Sequence, residues 1–581
     1  MRHLSNIVFL LAVILTGCKE TPKNTTTGTE SNTAAAEPYK LQQTVYYGGD
    51  IITMAGDTTE YVEALATREG KIIFTGSKAA AMKRFEGKAE EVDLKGKTML
   101  PGFIDGHAHF SNFSSQAIGA QILPPPDAGA NNMDAIVRIL KEWNTPENRA
   151  LTGWIFGAGF DDSVLEEKRF PTKHDLDQVT TEFPIMIIHI SGHFAAVNSK
   201  GLELLNITSE TKNPEGGLIR RENGNEPNGV LEELAAIPYY TKALTPKTKE
   251  AANMFFESGQ NMALSFGYTT AQEGRAMLEN HDMLANAAEA GKLKLDVVSY
   301  VDYLFVDTLM NTKWNSKKYD KKYRIGGMKL TLDGSPQGRT AWRTQPYLLP
   351  PDGAKKGYLG YPAIPQDSVL ESLYRKAFAN NWQVQTHANG DAAMDQMIRT
   401  MRKVSSEFEK KDRRNVLIHG QYVREDQLDA YKELDIIASL FPLHTFYWGD
   451  WHKQIIGDEL GNKISPTRTA LNKGLRITIH TDAPVALPNL MRMVGITVER
   501  KSRSGKLIGA GEKLTPYEAL KGITEWSAYQ HFEENKKGTI ENGKLADLVI
   551  LDKNPLKVAE KDIKNIVVLE TIKEGISVYK K

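Results

Sequence analysis

Cysteine is almost absent: Cys18 is the only one in 581 residues. That excludes an intrachain disulfide framework and any cysteine-rich zinc or iron–sulfur site, leaving histidines and carboxylates as metal ligands. Neither sign of charge is in excess, with 72 Lys and Arg against 72 Asp and Glu. No global basic field therefore recruits nucleic acid, and no nucleic-acid partner is expected. Long hydrophobic runs are missing too; the stretch Ile7 to Leu15 is too short to span a bilayer as a mature helix. No internal repeat is visible, against a structural or adhesive array. What is present is a globular composition, 41% hydrophobic and 25% charged, on a chain long enough to bury a large core, with 13 histidines.

The short basic start Met1-Arg2-His3 and the apolar run read as a signal peptide over residues 1–18. Leu15-Thr16-Gly17-Cys18 resembles the lipobox of bacterial lipoproteins, so Cys18 is expected to carry lipid. The alternative is a chance cysteine after an ordinary signal peptide. Residues 19–40 contain almost nothing bulky and apolar and read as a disordered tether to the membrane. The expected location is a lipid-anchored place in the bacterial envelope, at the outer membrane.

Short β-branched and aromatic runs broken by glycine mark residues 41–98 and again 538–581 as strands and hairpins. The two segments are expected to build one small β-sandwich. Between them apolar runs alternate with helical stretches, and eight runs read as buried strands: 98–104, 268–272, 295–300, 328–332, 383–386, 416–418, 436–439 and 476–479. Residues 99–537 thus predict an α/β fold, a (β/α)8 TIM-like barrel. The gap of about 110–249 after the first strand is too long for a loop and predicts an inserted subdomain containing the strand PIMIIHI (184–190).

His107 and His109 follow the first predicted strand, two residues apart and so facing one side, which makes a metal half-site. His387, His419 and Asp482 each follow a later strand, where a barrel presents its catalytic face. Imidazoles and a carboxylate suit Zn2+ but also Mn2+ or Fe2+. Asp482 alternatively caps a helix before Ala483-Pro484. Arg339 and Arg468 are candidates to bind a substrate carboxylate. His444, with Tyr447, Trp448 and Trp451, is a candidate wall of the pocket, although aromatics there commonly serve packing. His480 faces the pocket or supports it, and His189, within an apolar strand, reads as a core histidine.

LPGFIDGHAHF, THANGDAA, LIHG, HTDAPV and GTIENGKLADLVILD are similar to motifs of the metal-dependent amidohydrolase superfamily. The long insertion and KLTLDGSPQGRTAW resemble, more narrowly, the amidohydrolase-3 branch that includes the N-substituted formamide deformylases. The resemblance implies that His107, His109 and Asp482 bind one divalent metal, with zinc the default, and that His387 and His419 bind a second. It implies that Lys329, if on the fourth strand, is carboxylated and bridges both; the alternative is a lysine pairing with Asp333. It also implies that His193 lines the pocket.

Together these readings predict a metal-dependent hydrolase of non-peptide C–N bonds (the EC 3.5 class), acting on a small N-acyl or N-formyl amine with Asp482 as proton shuttle. The alternatives are a cyclic amidase or N-acyl-amino-acid hydrolase of the same superfamily, with a cation near the metals for the substrate carboxylate, and a non-catalytic envelope lipoprotein. The latter leaves the complete ligand set without a purpose. A homodimer is the prior for association.

Overall fold

The computed structural model describes residues 43–581 except 193, 215, 216, 352 and 353. Cys18, the signal segment, the tether and His193 lie outside the described residues.

Eight parallel strands in chain order form one sheet: β1 (Phe103–Ile104), β2 (Tyr268–Ala276), β3 (Asp296–Asp302), β4 (Tyr323–Thr331), β5 (Gln383–Ala388), β6 (Val416–His419), β7 (Ile437–Leu440) and β8 (Ile477–Ile479). Almost every side chain on them is buried, as expected where both faces are covered. Beyond β1 and β8 the chain closes the seam: the Asp482 amide donates to the His107 carbonyl (3.0 Å) and the His109 amide to Ala483 (2.8 Å). The sheet is thus TIM-like, and its closure is made by the segments that hold three candidate ligands.

The helices between strands are amphipathic for a legible reason. In Asp367–Ala379 the buried residues Leu370, Tyr374, Ala377 and Phe378 recur at helical spacing, and the chain leaves the helix at Asn380, with Asn381 left-handed (φ 56°). Side chains the size of Leu370 and Phe378 contribute about 1.5–3 kcal/mol each by leaving water, so Leu370→Ala would be felt across the β4–β5 crossover.

The run 98–104 does not form one strand. Thr98–Pro101 pairs antiparallel with Leu548–Leu551, while Phe103–Ile104 joins the barrel. Gly102 is the switch: its amide bonds the Asp547 carbonyl (2.7 Å), and a Cβ there would stand 2.2 Å from the Thr269 methyl. The two terminal segments do combine, through Thr44–Ile52, Tyr61–Arg68, Lys71–Gly76, Glu90–Asp93, Thr98–Pro101, Leu548–Leu551, Val568–Lys573 and Ile576–Lys580. Their ladder is continuous, joining eight strands in one sheet, which leaves the expected sandwich packing unconfirmed. Between β1 and β2 lies a third sheet of six strands, Ala120–Gln121, Ile155–Phe160, Ile185–His189, Phe194–Val197, Gly217–Glu222 and Glu226–Glu233.

At the N-terminal ends of the barrel strands a buried charge network joins barrel and terminal sheet. Lys573 bonds Asp296 and Asp547 (2.7 and 2.8 Å), Lys537 bonds Asp296 and Glu533, and Glu533 accepts from Arg324 (2.9 Å). Among the described residues no helix is long and apolar enough to cross a membrane.

Candidate metal centre

The opposite ends of the strands collect the polar residues. His107 is fully buried, and its Nδ1 lies 2.6 Å from Gln272 Oε1 on β2. That contact makes Nδ1 the donor and leaves Nε2 with a free lone pair. His107 Nε2 stands 3.5 Å from Asp482 Oδ1, and His109 Nε2 stands 3.4 Å from the same oxygen. Asp482 Oδ1 is buried and has no hydrogen-bond partner among the described residues. Two imidazole nitrogens turned on one orphaned carboxylate oxygen fit a divalent cation held by His107, His109 and Asp482, whose ligand atoms all lie within 4.8 Å of one another.

His387 and His419 are neighbours across β5 and β6, with ring centroids 4.6 Å apart. His419 Nδ1 lies 3.1 Å from His480 Nε2 and 3.9 Å from Asp482 Oδ2. His480 in turn contacts Ser439 (3.0 Å) and stacks on Phe441, so it supports His419 from behind. Both His419 (φ 79°) and Asp482 (φ 52°) have left-handed backbone, at a cost of roughly 1–3 kcal/mol each, which is common where a site dictates side-chain direction.

Lys329 lies on the fourth strand, is buried, and points its Nζ to within 3.1 Å of His107 Nε2. Pairing with Asp333 does not occur: that carboxylate accepts the amides of Asn389, Gly390 and Trp342 at 2.7–3.0 Å. Burial brings the Lys329 ammonium down to about 7, so a neutral amine is accessible at physiological pH. Burial, then the neighbouring positive charge of Lys329, holds His107 well below the usual imidazole range; burial and His387 do the same to His419. Neutral imidazoles are what a metal needs. His109 moves the other way, since Asp482 and Glu273 outweigh the effect of its burial.

The remaining sequence candidates are placed differently. Arg339 gives its guanidinium to the carbonyls of Pro350 (3.0 Å) and Leu349 (3.4 Å) and lies over Trp451, bracing a loop. Arg468 holds Glu518 through both terminal nitrogens. His444 is buried between Trp448 and Phe441 with Nδ1 2.9 Å from His452, a packed pair rather than an open wall. His189 pairs with Asp162 (3.1 Å), outside the barrel sheet. Trp448 donates to Asp161 and Trp451 to the Gln337 carbonyl, both structural bonds.

Sequence reasoning missed Gln272 and Glu273, which stand behind His107 and His109, and Asp105, which accepts from Thr481, Tyr268 and the His107 amide. Burial pushes the Asp105 carboxyl up to about 6 despite those bonds. The available signals were an adjacent polar pair within a buried strand and an acid two residues before His107.

Residues 90–579 match the profile described as the amidohydrolase family. The chain belongs to that family. Over 558 residues the amidohydrolase is 27% identical to a Bacillus subtilis protein named as an amidohydrolase, YtcJ, covering 92% of this chain and 99% of that one. It is 25% identical over 537 residues to the N-substituted formamide deformylase of Arthrobacter pascens, covering 89% and 95% respectively. Among solved structures it is similar to an uncharacterized metal-dependent hydrolase from Pyrococcus horikoshii, with TM-score 0.71, 25% identity and coverage of 89% and 99%. Family and neighbours together support a metal-dependent hydrolase.

Proposed function

We propose that the amidohydrolase cleaves the C–N bond of a small neutral N-acyl or N-formyl amine. The observation that carries this reading is the convergence of His107 and His109 on the orphaned Asp482 oxygen. His107, His109 and Asp482 would hold one divalent cation, zinc by default; His387, His419 and a carboxylated Lys329 would hold a second. Such a cation lowers the pKa of a water molecule toward about 7 and polarises a carbonyl oxygen. Asp482 then takes the proton from the attacking water and delivers it to the leaving nitrogen, which must be protonated to depart as an amine. Lys329 supports its assigned role through three properties: burial, a nitrogen 3.1 Å from His107, and an amine neutral enough to combine with CO2.

A neutral substrate is favoured over an acyl-amino acid because the guanidinium groups of Arg339 and Arg468 are already committed to loop carbonyls and to Glu518. The test is release of free amine from N-formyl- and N-acetylbenzylamine, compared with N-acetyl amino acids, before and after chelation. Turnover of the neutral amides, abolished by chelator and restored by zinc, is expected. Faster turnover of the acyl-amino acids would favour the alternative, and turnover of neither would overturn amide hydrolysis. We further propose lipid anchoring through Cys18; a Cys18→Ser form should leave the membrane fraction, and its staying there would exclude the anchor.

A further inference from the structure

A cavity of about 300 Å³ opens among the loops that follow β4, β5, β6 and β7, and no candidate metal ligand lines it. Its volume is at the low end for small-molecule sites, which span about 300–1,000 Å³. Most of the cationic side chains around it already have carboxylate partners. Arg424 is paired with Asp391 and Asp395, and Lys463 with Glu459. Arg343 is different. It is 4% exposed, yet pairs with no carboxylate among the described residues; Nη1 donates to the Pro346 carbonyl (3.1 Å) and buried Nε has no partner.

A buried guanidinium with unused donors is costly unless something completes it. Its guanidinium carbon also lies 4.9 Å from the Tyr347 ring centroid and 5.4 Å from that of Tyr422, and a guanidinium's planar fork matches a carboxylate. The rest of the cavity narrows the choice. Leu428, Ile456 and Leu460 offer an apolar floor, while Asp391, Glu425 and Glu512 disfavour anions in proportion to charge, so a singly charged group is preferred to phosphate.

We propose that this cavity binds a monocarboxylic acid with a compact apolar body, its carboxylate on Arg343, at a site separate from the metal centre. The site stands on the geometry of Arg343 and the cavity, so it survives or fails independently of the amide-hydrolase reading. The wall is nonetheless tied to that centre: the Tyr422 amide donates to the Asn389 carbonyl (2.9 Å), and Asn389 Nδ2 lies 3.0 Å from His387 Nε2.

The experiment is calorimetric titration of the full-length metal-loaded protein with benzoate, with benzamide and inorganic phosphate as comparison probes. Saturable one-to-one binding of benzoate is expected, weakened about tenfold or more by Arg343→Met through loss of a charge-assisted bidentate bond. Asp482→Asn should leave it unchanged, and benzamide should bind at least tenfold more weakly. Should Arg343→Met fail to fold, Leu460→Trp fills the cavity from its exposed side and is expected to cause the same loss. Benzoate binding that survives both cavity variants, or that disappears in Asp482→Asn, would place the acid at the metal centre and overturn the proposal. Preference for phosphate would overturn the ligand class, and no saturable binding of benzoate would overturn the site.

Discussion

Gln272 Oε1 lies 2.6 Å from His107 Nδ1, and Gln272 Nε2 is itself anchored on the Gly106 carbonyl at 2.9 Å. A side chain on β2 thereby sets the tautomer and ring orientation of a candidate ligand that follows β1. Such outer partners are worth about 10–100-fold in metal affinity. Gln272→Ala is expected to weaken metal binding by that factor with the fold intact, measured by competition with a chromophoric chelator. Affinity within twofold of the parent would show that His107 needs no such clamp.

Asp482 faces three of the candidate ligands: Oδ1 faces His107 and His109, and Oδ2 lies 3.9 Å from His419. Asp482→Asn retains an oxygen but cannot carry a proton. Removing a positioned acid–base group lowers turnover by about 10²–10⁴-fold. Steady-state kcat, read beside metal content, is expected to fall in that range. A kcat within threefold of the parent at full metal loading would move proton transfer to another group.

The stability of the protein in acid should depend on Glu533. Burial alone would push its carboxyl up, but Lys537 and Arg324 outweigh that and hold it at about 2, against an ordinary value of 4.5. A depressed carboxyl contributes stability above the unfolded value, and loses it as pH falls through the folded one. Between pH 4.5 and about 2 the loss is on the order of 3 kcal/mol, at about 1.4 kcal/mol per pH unit. Glu533→Gln should lower the urea midpoint at neutral pH and flatten its decline in that window. An unchanged slope would assign acid lability elsewhere.

Much of this was legible before the structure. The barrel strands were visible because buried parallel strands are short continuous apolar runs, and His387, His419 and Lys329 sit on or at the end of theirs. The split of 98–104 was hidden because Pro101-Gly102 interrupts a uniformly apolar run whose two halves bond in different sheets, a long-range choice. Arg339, Arg468 and His444 have partners that the sequence did not indicate, for one shared reason. Residue type reveals what a guanidinium or imidazole can bind, whereas its actual partners, Pro350, Glu518 and His452, come from distant or folded-back segments. Gln272 and Glu273 were overlooked because neutral and acidic side chains behind a ligand leave no spacing pattern in the chain.

Elemental analysis of the purified protein, beside its Lys329→Ala and Asp482→Asn forms, tests the centre most directly. Close to two divalent ions per chain are expected, falling to one or none when Lys329 is removed. One ion that is indifferent to Lys329 would contradict the bridging role of that residue, and no tight metal even after reconstitution with zinc or manganese would contradict the metal centre itself.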